Sequence, residues 1–132
     1  MAEKYKVLIA DDDKFIREQL TKVVTQFGYI ARTVADSESV LKLVQEEDFD
    51  VLITDIYMEN MSGQEMIPIV KKMKPLLPVI AMTGDETMDL EREVRSLGVF
   101  AYFLKPIEID IMMKTLKAAL SVVEKNRKVK NV

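Results

Sequence analysis

Hydrophobic residues along this chain alternate between short continuous runs and longer stretches with helical spacing. The short runs lie at about 5–10, 29–34, 50–54, 78–82 and 101–104. Continuous apolar runs are typical of strands that are buried on both faces, as in a parallel sheet. The run at 29–34 is more polar than the others, which predicts a strand nearer the edge of the sheet.

Between these runs, apolar residues recur every three to four positions, which predicts helices. Gly28 and Gly98 follow the last apolar positions of two such stretches, where a C-cap glycine belongs. Asp36 or Ser37 is suited to cap the second helix, and 62–65 reads as a capping box that opens the third. The predicted helices cover about 14–27, the stretch after 36, 62–73, 86–97 and a final helix from about 108.

Five strand–helix units predict an α/β fold, a doubly wound parallel sheet with helices on both faces and right-handed crossovers. At 132 residues the chain is most simply one domain. We assign residues 1–124 to that domain. The basic tail at 125–132 is expected to fray beyond the last helix.

The composition narrows the possible chemistry. The chain has no cysteine and no histidine, which excludes disulfides, thiolate chemistry, a histidine base and imidazole metal ligands. The net charge of −3 provides no overall basic field for nucleic acid. No signal peptide is visible, and no apolar stretch approaches the roughly 20 residues of a membrane span. We therefore expect a cytosolic protein without membrane insertion or direct contact with nucleic acid.

Four of the apolar runs end in polar residues that suit one kind of chemistry. They lead into 11–13 (three aspartates), Asp55, Thr83 and Lys105. Ligands of such sheets bind beyond the carboxyl ends of the strands, where these residues would meet. Carboxylates suit a hard divalent cation such as Mg²⁺, which helps a carboxylate meet a phosphoryl group. Each residue alone reads as a cap or turn, and the joint occurrence favours function.

The same residues resemble a response-regulator receiver domain, the phosphoacceptor module of two-component signalling and phosphorelays. The resemblance spans roughly 4–124 and implies a three-layer, flavodoxin-like (βα)5 fold with strand order 2-1-3-4-5. The matching segments are Val7-Leu-Ile-Ala-Asp-Asp12, Asp55-Ile-Tyr-Met58 with Gly63 eight residues after the aspartate, Thr83-Gly84 and Tyr102-Phe-Leu-Lys-Pro106.

This resemblance implies that Asp55 is the phosphorylated residue. It implies that Mg²⁺ binds Asp55, Asp12 directly, Asp11 through water, and the backbone carbonyl of Tyr57. Lys105 would bridge to the phosphoryl group.

Three further roles follow from the same resemblance. The Lys105–Pro106 peptide bond would be cis, which would aim the lysine inward. Thr83 would move toward the phosphoryl oxygen, and Tyr102 would swing inward behind it. This switch would change the surface formed by the fourth helix, fifth strand and fifth helix.

The implied partners are a sensor histidine kinase or phosphotransfer protein, and a downstream target or an output domain. A phosphorylation-dependent dimer is also implied. The protein would be a signalling phosphoacceptor, with only self-phosphorylation and autodephosphorylation chemistry, and not an enzyme with an independent substrate.

Some positions depart from the family pattern. Glu59 stands where the family usually has proline, which should loosen the loop after Asp55 and add negative charge. Tyr57 and Asp85 occupy positions that tune phosphoryl lifetime in the family. A bulky Tyr57 would shield the acyl phosphate from water, which predicts a long-lived phosphorylated state.

Three alternatives remain. A phosphatase of the haloacid dehalogenase type would need a second aspartate where Tyr57 stands, so turnover of outside substrates is disfavoured. A nucleotide- or flavin-binding module would need a glycine-rich phosphate loop after the first strand, where three acids stand instead. A degenerate receiver that serves only as a protein-interaction module is disfavoured because the acceptor, metal and lysine positions are intact.

Overall fold

The structure is a computed structural model that describes residues 4–130. Strands and helices alternate along the chain, in the order β1 (Lys6–Ala10), α1 (Lys14–Gln26), β2 (Ile30–Val34), α2 (Ser37–Glu46), β3 (Val51–Asp55), α3 (Gly63–Met73), β4 (Val79–Thr83), α4 (Met88–Ser96), β5 (Ala101–Leu104) and α5 (Ile109–Lys130).

The five strands form one parallel sheet in the order β2-β1-β3-β4-β5. This confirms the doubly wound fold and the predicted edge position of the second strand. The register aligns the carboxyl ends of the inner strands: Ala10 lies beside Thr54, and Asp55 lies beside Met82. The residues that end these strands are therefore gathered at one edge of the sheet.

Alternating residues of the strands supply two separate cores. Leu8 and Leu52 face the core shared with α2, α3 and α4, whereas Val7 and Ile53 face the core shared with α1 and α5. Strands β3 and β4 are buried at every position. Burial on both faces explains why their sequences are continuous apolar runs and do not alternate.

Local capping signals fix where most helices begin. The side chains of Asp13, Asp36 and Ser62 accept backbone N–H bonds at the starts of α1, α2 and α3. Gly28 follows α1 with φ of 86°, a conformation that glycine adopts without steric cost. The third aspartate after β1 is thus a helix cap, which separates it in role from its two neighbours.

The last helix is longer than predicted. The expectation that the chain frays beyond residue 124 was wrong for 125–130, which continue α5 to a length of 22 residues. The Tyr5 hydroxyl donates a hydrogen bond to Glu124 at 2.7 Å, and Arg127 pairs with Asp50 at the amino end of β3. Residues 1–3 and 131–132, which include both ends of the predicted domain and tail, lie outside the described residues.

Across residues 4–130, none of the helices has the length and apolar character that crossing a membrane requires.

Candidate functional site

Three carboxylates meet at the carboxyl edge of the sheet. Asp11 and Asp12 follow β1, Asp55 is the last residue of β3, and one oxygen from each lies within 4.8 Å of the others. Asp11 and Asp55 are buried, whereas Asp12 is exposed. Two carboxylates of the cluster are therefore enclosed by protein, and the third faces solvent.

Lys105 contacts both buried acids. Its Nζ lies 2.7 Å from Asp11 Oδ2 and 2.9 Å from Asp55 Oδ2. Its backbone N–H donates to the Thr83 carbonyl oxygen at 2.8 Å, and the Lys105–Pro106 peptide bond is cis. The segment after β5 thus places one ammonium group between two carboxylates.

Burial and charge shift the protonation equilibria here in opposite ways. Burial is the main cause that raises the pKa of Asp11, and the neighbouring Asp55 charge adds to it, against the opposing effect of Lys105. Burial alone would lower the pKa of Lys105, but its hydrogen bonds to Asp11 and Asp55 outweigh burial and raise it. The Lys105 ammonium supplies one positive charge beside three carboxylates, which leaves formal negative charge that a divalent cation would neutralise.

The donor set fits a hard cation. Oxygen ligands from two or three carboxylates, with one side open to water, match the preference of Mg²⁺ for few protein ligands and several waters. The exposed Asp12 borders a surface depression of about 380 Å³ that also includes Tyr57 and Glu65. Water and a small ligand therefore have access to the acids from this side.

Tyr57 and Asp85 make a contact that the sequence did not predict. The Tyr57 hydroxyl donates to Asp85 Oδ2 at 3.0 Å, and the Tyr57 N–H donates to Asp55 Oδ1 at 3.2 Å. The Asp85 N–H in turn donates to Thr83 Oγ1 at 3.1 Å. The hydrogen bond raises the pKa of Tyr57, whereas bonds from the Thr87 backbone and from Tyr57 lower the pKa of Asp85. Two loops are thus joined beside the acids.

Tyr102 lies behind this group, with its ring half-buried against the core of α3 and α4. Its hydroxyl oxygen is buried and has no hydrogen-bond partner within the part of the chain that the structure describes. Burial accordingly raises the pKa of Tyr102, and the Arg95 guanidinium lies 5.6 Å from its ring centroid. A buried hydroxyl without a partner is unusual. The Tyr102 hydroxyl could therefore form a hydrogen bond if the side chain moved.

The loop after Asp55 is anchored by a residue whose role the sequence analysis missed. Ser37 donates from its N–H to the Glu59 carbonyl at 3.3 Å and from its Oγ to the Met61 carbonyl at 2.5 Å. Asp36 and Glu59 also form an isolated parallel bridge. The loop is therefore held at the Glu59 carbonyl, and the looser loop expected from Glu59 stays a prediction. The one sequence signal for this role of Ser37 is that a small polar residue directly follows the capping Asp36.

Comparison with known proteins agrees with this geometry. Residues 7–117 match the family model described as response regulator receiver domain. Over 119 residues, 90% of this chain, the sequence is 34% identical to a DNA-binding transcriptional regulator NtrC from Proteus hauseri. That match covers 25% of the relative, so the chain spans about a quarter of the length of such curated relatives.

Solved structures of similar size share the fold. A CheY-like receiver domain protein from Methanospirillum hungatei superposes with a TM-score of 0.89 at 25% identity, covering 94% of this chain and 99% of that one. The chemotaxis response regulator CheY4 of Vibrio cholerae gives a TM-score of 0.82 at 28% identity, covering 89% and 100% respectively.

Proposed function

The chain belongs to the response regulator receiver domain family, and on that premise we propose that it accepts a phosphoryl group on the Asp55 carboxylate. The observation that carries the proposal is the placement of Asp55 at the end of β3, between Lys105 and the acids after β1. We place this function in residues 1–124, with 125–132 as an extension of it.

The donor of the phosphoryl group would be a phosphohistidine of a kinase or phosphotransfer protein. An Asp55 oxygen attacks phosphorus, the P–N bond breaks, and the imidazole leaves with the bonding electron pair. Asp55 is prepared for this step because Tyr57 N–H and Lys105 Nζ each hold one of its oxygens. Orientation and charge stabilisation account for most of the catalysis of phosphoryl transfer.

The residues that would hold Mg²⁺ are Asp55, Asp12, Asp11 through water, and the backbone carbonyl of Tyr57. When bound, the cation would neutralise charge on the phosphoryl oxygens and on the acceptor. Lys105 would then exchange its contact with Asp55 for one with a phosphoryl oxygen. The grouping of three carboxylates, with oxygens within 4.8 Å of one another, supports this ligand set.

Thr83 and Tyr102 would transmit the change. The Thr83 hydroxyl oxygen currently accepts from Asp85 N–H, so its proton is available to a phosphoryl oxygen. Tyr102, whose buried hydroxyl has no hydrogen-bond partner among residues 4–130, would adjust as Thr83 moves. The surface of α4, β5 and α5 would then bind a downstream protein or an output domain, or form a dimer. A pull-down that compares phosphorylated protein with Asp55→Asn would identify such partners.

The direct test is phosphorylation by a small phosphodonor. Incubation with acetyl phosphate and Mg²⁺ should add the mass of one phosphoryl group, and peptide mapping should place it on Asp55. Asp55→Asn should gain none, whereas Asp48→Asn, which removes an exposed carboxylate on another loop, should behave as wild type. Absence of the adduct in the wild type, together with no response to beryllofluoride, would contradict the proposal and favour a degenerate interaction module. Turnover of a generic phosphate ester would instead indicate a phosphatase.

A further inference from the structure

Ser37 connects α2 to the loop of residues 57–62, which follows the acceptor strand. The side chain is fully buried, yet it is polar and lies at the first position of α2. Its hydroxyl and its N–H donate to two carbonyl oxygens of that loop, those of Met61 and Glu59. The capping of α2 itself is done by Asp36, so the Ser37 hydroxyl serves the loop and not its own helix.

The geometry of the 57–62 loop makes these two bonds important. Its ends are closed by Gly63 N–H, which donates to the Ile56 carbonyl at 2.7 Å, and by Tyr57 N–H, which donates to Asp55. Between those ends Asn60 has φ of 79°, a left-handed conformation that is uncommon for residues other than glycine. The Ser37 bonds hold the residue on each side of Asn60, and thereby fix the turn in the middle of the loop.

We propose that Ser37 is a positioning residue for divalent-cation binding, which acts by holding the 57–62 loop that carries the Tyr57 carbonyl. This inference rests on the proposed function, in which that carbonyl is a metal ligand. A loop that is ordered beforehand loses less conformational freedom when the cation binds. Removal of the Ser37 hydroxyl leaves the Met61 carbonyl without its partner, and the loop then has to be ordered by the cation itself.

The test compares the Mg²⁺ affinity and the loop dynamics of Ser37→Ala with those of the wild type. Mg²⁺ titration by calorimetry, well below the melting temperature, should show affinity weakened on the order of 10-fold, as for other residues that orient metal ligands. Amide hydrogen exchange at 59–61 should be faster in the metal-free variant.

Val44→Ala is the matched control. Val44 is buried in the core seven positions after Ser37 on the same helix, so its truncation should lower stability while both Ser37 hydrogen bonds to the loop remain. We expect its Mg²⁺ affinity to equal that of the wild type. If Ser37→Ala lowers the melting temperature but keeps wild-type Mg²⁺ affinity and loop exchange, Ser37 is only structural and the inference is overturned. If the wild type itself binds no Mg²⁺, the proposed metal site is contradicted, and so is this inference.

Discussion

At the scale of single residues, Asp11 shows the opposition between stability and function in this site. It is fully buried next to Asp55, and burial raises its pKa. An acid with a raised folded pKa contributes stability that is present below its unfolded pKa and is lost as pH rises through the folded pKa. Once ionised, Asp11 is therefore a cost to folding, which a bound cation would offset.

We predict that Asp11→Asn raises the free energy of unfolding of the metal-free protein at pH 7 and weakens Mg²⁺ binding by 10-fold or more, about the scale seen for residues that orient metal ligands. Urea unfolding at pH 7 and at a pH below the carboxylate range should show the gain shrinking in acid. A variant less stable than the wild type at neutral pH would contradict the assignment of Asp11 as a desolvated acid.

Tyr57 is the second residue with a specific consequence. Its exposed side chain is hydrogen-bonded to Asp85, and its backbone N–H donates to Asp55. We predict that Tyr57→Ala speeds autodephosphorylation about 10-fold, which corresponds to roughly 1.4 kcal/mol of barrier. Tyr57→Phe, which keeps the ring but loses the hydrogen bond, should show a smaller change. The decay of phosphorylated protein after removal of the donor measures both, and an unchanged rate in Tyr57→Ala would disprove the shielding.

At the scale of elements, the strands and most helix starts follow from local signals. Continuous apolar runs and capping residues are short-range features, so they could be read from the sequence. The contacts between loops could not: Ser37 with Met61, and Tyr57 with Asp85, join residues 24 and 28 positions apart. Whether such side chains meet depends on the packing of the elements that carry them, which local periodicity does not encode.

The junction of β3 and α3 gives the prediction at this scale. A Cβ at Gly63 would lie 2.9 Å from Ile56 Cδ1, closer than real Cβ contacts come, and 3.0 Å from the Ile56 Cα, which is tighter than most of them. Gly63→Ala should lower the free energy of unfolding by about 1–3 kcal/mol, the usual cost of overpacking. Gly84→Ala is the control, because a Cβ there meets nothing within 4 Å. Equal stability of the two variants in urea would show that the junction relaxes freely.

At the scale of the whole molecule, α5 connects the carboxyl edge of the sheet, where the site lies, with the amino edge. It continues past the amino ends of the strands, where its residues Glu124 and Arg127 contact Tyr5 and Asp50, which are distant in sequence. Beyond Val123 the helix has little apolar periodicity, so the sequence predicted a fraying tail. Long-range contacts stabilise these turns.

We predict that Arg127→Ala lowers the free energy of unfolding by about 1–2 kcal/mol, because it leaves the largely buried Asp50 without this cation. Lys125→Ala, at an exposed position of the same helix, should change stability by less than about 0.5 kcal/mol. Thermal and urea unfolding compare the two. Arg127→Ala with wild-type stability would mean that the contact contributes little to folding.

The position of Lys105 between Asp11 and Asp55 has a thermodynamic consequence. The Lys105 ammonium contacts two acids. A cation that replaces it at Asp11 would leave the lysine charge available to a phosphoryl group at Asp55. If both bind as proposed, cation binding and phosphoryl binding would be linked equilibria, and reciprocity would require each to strengthen the other by the same factor. The ratio of Mg²⁺ affinities with and without beryllofluoride would give that coupling factor, and Lys105→Met should reduce it toward unity.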